Sequence, residues 1–265
     1  MVLWLVPFVL APLITACGGV TPAAGPAGES AQERLAKAEA MFRERCKTAG
    51  EKIYRTVENV EGIFLLKLRP ENINYGDQFR LDDPYGRDLT GDGYIGSFLR
   101  GEYDATHTGA RRSGAPQRLG YHFVEAIDSK DGKRYRYTGR TEEPWRYDSS
   151  YSKSYRHFVL DKVFAPGAPP RYGVTYDDIS TREERDYWIA GSSLRVIDLA
   201  SNEVIAERIG YMMDRGQGSR SAGRSPWLLA ADYACPKFSD ANGSRAQTYQ
   251  TLDFVEEVIK PTREN

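Results

Sequence analysis

Residues Val2 to Ile14 are almost wholly apolar, and the run closes on Thr15, Ala16 and Cys17 before Gly18-Gly19. At about 13 residues it falls short of the roughly 20 that cross a bilayer as a helix, and it suits the core of an export signal better. Val20 to Ser30 reads V-T-P-A-A-G-P-A-G-E-S, a small, Pro/Gly-rich stretch without the apolar content to make a core. The fold must therefore be built from the rest of the chain, about 235 residues, which is enough to bury a substantial core without metal or dense disulfides. One domain is expected.

The run Leu13-Ile14-Thr15-Ala16-Cys17 resembles the lipobox of bacterial lipoproteins. An ordinary secretory signal is the alternative, although cleavage of that kind leaves a small residue, not a cysteine, at the new terminus. No Lys or Arg precedes the apolar run, so the Met1 amine is its only positive charge. The resemblance implies a signal peptide over 1–16, an acylated N-terminus at Cys17 and a tether over 17–32, followed by a periplasmic domain over 33–265. Acyl chains hold a protein on a membrane by about 0.8 kcal/mol per buried CH2. Lipoproteins retained at the inner membrane carry Asp after the cysteine; Gly18 stands there, so the expected location is the outer membrane, facing the periplasm. At roughly 3.3–3.6 Å per residue, the tether can hold the folded part a few tens of ångströms from the bilayer.

Export changes how the remaining cysteines read. Cys46 and Cys235 stand near the two ends of the folded part, and in an oxidising compartment a disulfide between them is the expected state. Two free thiols or a catalytic cysteine are the alternatives, and neither cysteine has a nearby histidine to activate it. Lys plus Arg number 36 against 37 Asp plus Glu, and no long block of one sign appears. A nucleic-acid partner is not expected from that balance.

Ser30 and Glu33 fit a capping box, and Leu35, Ala38, Met41, Phe42 and Cys46 recur at helical spacing, predicting an N-terminal amphipathic helix. Strands are expected at Gly62–Arg69, Tyr94–Leu99 and Gly120–Ile127, with a hairpin through Asp131-Gly132 into Tyr137. Tyr187–Asp198 and Val204–Met213 read as a long antiparallel pair, Gly216–Arg224 as a solvated polar loop, and Gln247–Ile259 as a helix stopped by Pro261. The sum is an α+β fold, an antiparallel sheet with an N-terminal and a C-terminal helix.

Motifs for chemistry are scarce. His107, His122 and His157 lack zinc-site spacing, and there is no nucleophile elbow, phosphate loop or dinucleotide turn. Asp88-Leu89-Thr90-Gly91-Asp92-Gly93-Tyr94-Ile95 copies the opening of a calcium loop, but Leu99 stands where the bidentate Glu belongs, so a turn before a strand is the better reading. Asp82-Asp83 and Asp177-Asp178 are adjacent rather than facing pairs. Neither a cofactor nor an enzymatic activity is expected.

The chain has 17 tyrosines, clustered at Tyr135/Tyr137, Tyr147/Tyr151/Tyr155 and Tyr172/Tyr176 and interleaved with arginines. Strand packing accounts for alternating tyrosines. W-R-Y-D-S-S-Y-S-K-S-Y, from Trp145 to Tyr155, is different: it has many aromatics, little aliphatic content and no clean period. Trp145, Tyr147 and Tyr151 are therefore the candidate anchors for a protein partner.

The run Cys46 to Gly62, with Tyr85-Gly86-Arg87-Asp88, Tyr172 to Arg182 and Ala234-Cys235-Pro236, resembles an uncharacterised group of proteobacterial lipoproteins. The resemblance implies an immunity role, because such lipoproteins stand beside genes for toxins delivered by type VI secretion, including lipases. Two function classes result: a tethered binding protein that neutralises a periplasm-acting toxin, and an envelope maintenance or assembly lipoprotein without a toxin partner. An envelope hydrolase is a distant third.

Overall fold

A computed structural model describes residues 28–71, 79, 89–102, 118–224, 227, 230–238 and 246–263 of the chain. The apolar run, Cys17 and most of the tether lie outside them, as do Asp82, Asp83, Asp88 and His107. Helix α1 (Ala31–Cys46) begins at the expected capping box: Ser30 Oγ accepts the Glu33 N–H, and the Glu33 carboxylate accepts the Ser30 N–H. Arg43 and Arg45 in its last turn face the negative end of the helix dipole.

The helix is followed by β1 (Gly50–Ile53), β2 (Val57–Val60), β3 (Gly62–Leu65), α2 (Gly91–Ser97), β4 (Phe123–Ile127), β5 (Arg134–Glu142), β6 (His157–Phe164) and β7 (Tyr172–Asp178). Then come α3 (Arg182–Asp186), β8 (Ile189–Asp198), β9 (Glu203–Met213), β10 (Ala234–Cys235), α4 (Ala246–Val258) and β11 (Ile259–Pro261). Nine strands make one sheet in the order β1–β9–β8–β7–β3–β4–β5–β6, with β10 also on β9; β2 and β11 form a separate parallel pair. The protein is a single α+β domain whose sheet is mostly antiparallel.

Two antiparallel meanders, β4–β5–β6 and β7–β8–β9, are joined through β3, which runs parallel to both β4 and β7. All four residues of β3 are buried, which is why Gly62-Ile63-Phe64-Leu65 is continuously apolar instead of alternating. The expected hairpins form. Gly132 takes φ +70° in the β4–β5 turn, where Asp131 accepts the Lys133 N–H, and Asn202 takes φ +57° between β8 and β9.

One expected strand is a helix. Tyr94, Ile95, Phe98 and Leu99 lie in or just after α2, spaced so that one helical face is buried in the main core with α4. Gly91, Gly93 and Gly96 make this segment a poor helix former, so tertiary burial decides its conformation. The described part of the calcium-loop-like run thus opens a helix, with Thr90 at the N-cap and Asp92 in the first turn.

Strand alternation sorts the sheet into two unlike faces. Leu65, Val124, Tyr137, Val174, Tyr176, Leu194 and Val196 point toward α2 and α4, which contributes Leu252, Val255 and Val258. On the other face α1 packs Ala38 against Ile189 and Met213 near Tyr187. Elsewhere that face carries charge: buried Glu125 accepts from Arg136 at 2.8 Å and lies 2.9 Å from Arg134, while Arg136 stacks 3.8 Å above Phe123.

Two buried carboxylates organise turns. Asp198 accepts hydrogen bonds from Arg171 at 2.9 Å and from Arg55 at 2.8 Å, and these hold its carboxyl well below the usual range against the effect of burial. Asp214, after β9, accepts the N–H groups of Gly216, Gly218 and Trp227 and both Nη1 and Nη2 of Arg224. The Gly216–Arg224 segment is therefore an ordered structure, not a merely solvated loop. Gly218, at φ +74°, lies under Trp188, where a Cβ would fall 2.0 Å from the indole.

Cys46 and Cys235 form a disulfide. It joins the end of α1 to β10, and the geometry around it is specific. β1 pairs with β9 from Ala206 to Ile209, and β10 pairs with it at Tyr211 and Met212, so the two short strands lie end to end along one edge. The bridge ties these two pieces of edge together.

Candidate functional site

The β5–β6 hairpin runs without a register break from Tyr135↔Phe164 to Glu142↔His157 and lies at the sheet edge opposite β1 and β10. Its loop holds all three sequence-predicted anchors. Pro144–Arg146 makes a 3₁₀ turn, and the N–H groups of Tyr147 and Asp148 both donate to Pro144 O. Asp148 then accepts the Ser150 N–H at 2.9 Å, Tyr151 N–H donates to Asp148 O, and Tyr155 N–H donates to Ser152 O. The loop is thus tied by its own backbone.

This framework turns the tyrosines outward. Tyr147 is 72% exposed, with its hydroxyl donating to Glu142 at 3.3 Å, and Tyr151 is 44% exposed. Tyr151 stacks on Tyr155, with centroids 5.2 Å apart and ring planes at 10°. Trp145 is half-buried, with the Arg146 guanidinium 5.0 Å from its ring. The arginines around these rings are paired: Arg140 with Asp161 and Glu142, and Arg146 and Arg156 with Glu143. Rigid aromatics beside paired arginines can bury apolar area on a partner at little cost in side-chain entropy.

The other tyrosine clusters obey the packing explanation. Tyr137, Tyr172 and Tyr176 are buried in the main core. Tyr155, which sequence reasoning did not single out as an anchor, belongs with the outward group because it completes the stack. Asp177 and Asp178 point to opposite sides of β7 and pair separately with Arg195 and Arg185. Among the described residues no three His, Cys, Asp or Glu side chains are grouped to hold a metal.

Glu256 is the chemically distinctive residue that sequence reasoning missed. Burial pushes its carboxyl up to about 7; Arg118 and the Gly120 N–H draw it back, and Asp253 opposes them. A signal was present: Glu256 lies one helical turn beyond Leu252, on the side of α4 that the periodicity assigns to the core. No family model matches the chain, and neither does any curated protein or solved structure.

Proposed function

We propose that the protein is a lipid-anchored binding protein of the periplasmic face of the outer membrane, and that it neutralises a secreted toxin by occluding it. The observation that carries this reading is the backbone-tied loop with its outward Tyr147, Tyr151 and Tyr155. Its support in the sequence is the resemblance to lipoproteins encoded beside type VI toxins such as lipases. The disulfide suits an exported domain. Among the described residues no helix is long and apolar enough to cross a membrane. The proposed attachment is the acyl group on Cys17.

Two experiments test the reading separately. Truncating Trp145, Tyr147 and Tyr151 together to Ala is expected to weaken toxin binding by about thirtyfold or more, the equivalent of about 2 kcal/mol, with the fold intact. Calorimetry with the toxin encoded by the adjacent gene reads this. Unchanged affinity in a folded triple variant removes the loop from the interface, and no binding by wild type removes the immunity reading. For the anchor, Cys17→Ser is expected to shift the chain from the membrane to the soluble fraction; a variant that sediments with membranes without detergent defeats the lipid attachment.

A further inference from the structure

The two margins of the sheet are unlike. On one, β1 and β10 are four and two residues long, and the disulfide ties them together. On the other, β6 is eight residues long, pairs with β5 without a register shift, and among the described residues has no strand on its outer side. The ladder fixes which backbone groups it leaves open. Ala165 N–H donates to Arg134 O at 3.0 Å, next to the facing pair Tyr135 and Phe164. Hydrogen-bonded and non-bonded pairs alternate in an antiparallel ladder, so His157, Val159, Asp161 and Val163 bond to β5. Phe158, Leu160, Lys162 and Phe164 therefore turn their N–H and C=O groups outward, and among the described residues these groups meet no backbone partner.

Edge strands are ordinarily blunted by proline, by a bulge or by a lysine that projects into the path of pairing. The sequence of β6, H-F-V-L-D-K-V-F, has no proline, and its register has no bulge. Its lysine is turned back: Lys162 donates to Asp128 and lies 3.8 Å over the Tyr135 ring. Asp161 is turned back likewise and accepts from Arg140 at 2.8 Å. Asp161 through Phe164 are exposed, while Phe158 and Leu160 are only partly buried against the main core.

A row of N–H and C=O groups at strand spacing is matched by another extended chain. A second copy of β6 matches it poorly. Two-fold antiparallel pairing centred on Asp161 sets two carboxylates face to face; centred on Leu160, it sets Asp161 against Val159 and Lys162 against Phe158. We propose that β6 accepts an extended segment of the toxin as a further strand, with apolar side chains at alternate positions beside Phe158 and Leu160. This rests on the proposed toxin binding, and the loop gives it continuity. Tyr155, stacked on Tyr151, stands two residues before His157, where β6 begins. The aromatic loop and the open edge form one surface.

Residue-resolved hydrogen exchange by NMR on the full chain, with and without the toxin encoded by the adjacent gene, tests this. In the free protein the amides of Phe158, Leu160 and Lys162 should exchange rapidly and those of Val159 and Asp161 slowly; toxin should slow the first set by about tenfold or more. This measurement needs no variant. Lys162→Pro removes one outward donor and none that bonds β5, a change that edge strands tolerate. It should weaken toxin binding about tenfold relative to Lys162→Ala, which keeps the N–H. Outward amides that stay fast in the complex, or equal affinities of the Pro and Ala variants, would each overturn strand addition and leave binding by the loop standing. No binding by wild type would remove the immunity reading and the added strand with it. A free chain that sediments as a dimer, and as a monomer once Lys162→Pro is made, would give the edge to a second copy and overturn the proposal.

Discussion

Replacing Cys46 and Cys235 together by Ala lowers the unfolding free energy by about 2–5 kcal/mol. The two half-cystines are 189 residues apart, so reduction returns a very long closed loop to the freedom of the unfolded chain. For a domain of this size the loss corresponds to a drop in Tm of about 5–20 °C. Urea unfolding of the double variant against wild type measures it, and an unchanged midpoint would show that the bridge constrains nothing. The strand β10 is two residues long and lies at the sheet edge, paired with β9, joined to the bridge and packed through Ala234 against the Trp188 and Trp227 cluster. Its amides should therefore exchange with solvent before the rest of the sheet does.

Asp214→Ala is expected to cost about 3–5 kcal/mol, because it strands a charged partner and several backbone donors at once. Asp214 is fully buried, and the Arg224 side chain that it neutralises is 16% exposed. Without the carboxylate, the N–H groups of Gly216, Gly218 and Trp227 lose their acceptor together with the guanidinium. The loop they organise covers the tilted pair Trp188 and Trp227, 5.2 Å apart, so a red-shifted tryptophan emission should accompany the loss. Asp214→Asn should fall between the two, since its amide keeps one acceptor oxygen but turns a donor toward other donors. A loss below about 1 kcal/mol in the Ala variant would mean that water replaces the carboxylate readily.

The local elements were legible because their determinants are local. Ser30 and Glu33 mark the start of α1 through hydrogen bonds three residues apart, and Asp131-Gly132 marks a turn through the φ that Gly132 adopts. What was hidden depends on distant residues. The three glycines between Gly91 and Ser97 disfavour a helix; the segment becomes one because Tyr94, Ile95 and Phe98 must reach a single buried surface shared with α4. The parallel setting of β3 was also out of reach, since its neighbours Phe123–Ala126 and Gly173–Val174 lie far along the chain. Asp214 reads as an ordinary loop residue until the N–H groups of Gly216, Gly218 and Trp227 converge on it. The candidate anchors Trp145, Tyr147 and Tyr151 stood out because the loop lacks aliphatic residues with which to build a core, yet sequence could not show that Trp145 is partly withdrawn while Tyr155 is displayed.

The placement of β6 and β9 on either side of the sheet centre gives the molecule a polarity. Six strand spacings separate them, about 29 Å at the usual 4.8 Å. Helix α1, which comes directly after the tether, packs at the β9 side, and the tyrosine loop projects from the β6 side. On the proposed anchoring, the membrane holds one margin of the domain and a partner meets the other. A bilayer and a toxin can then be engaged at once, and loosening the disulfide-stapled margin should weaken the scaffold without reshaping the surface it displays.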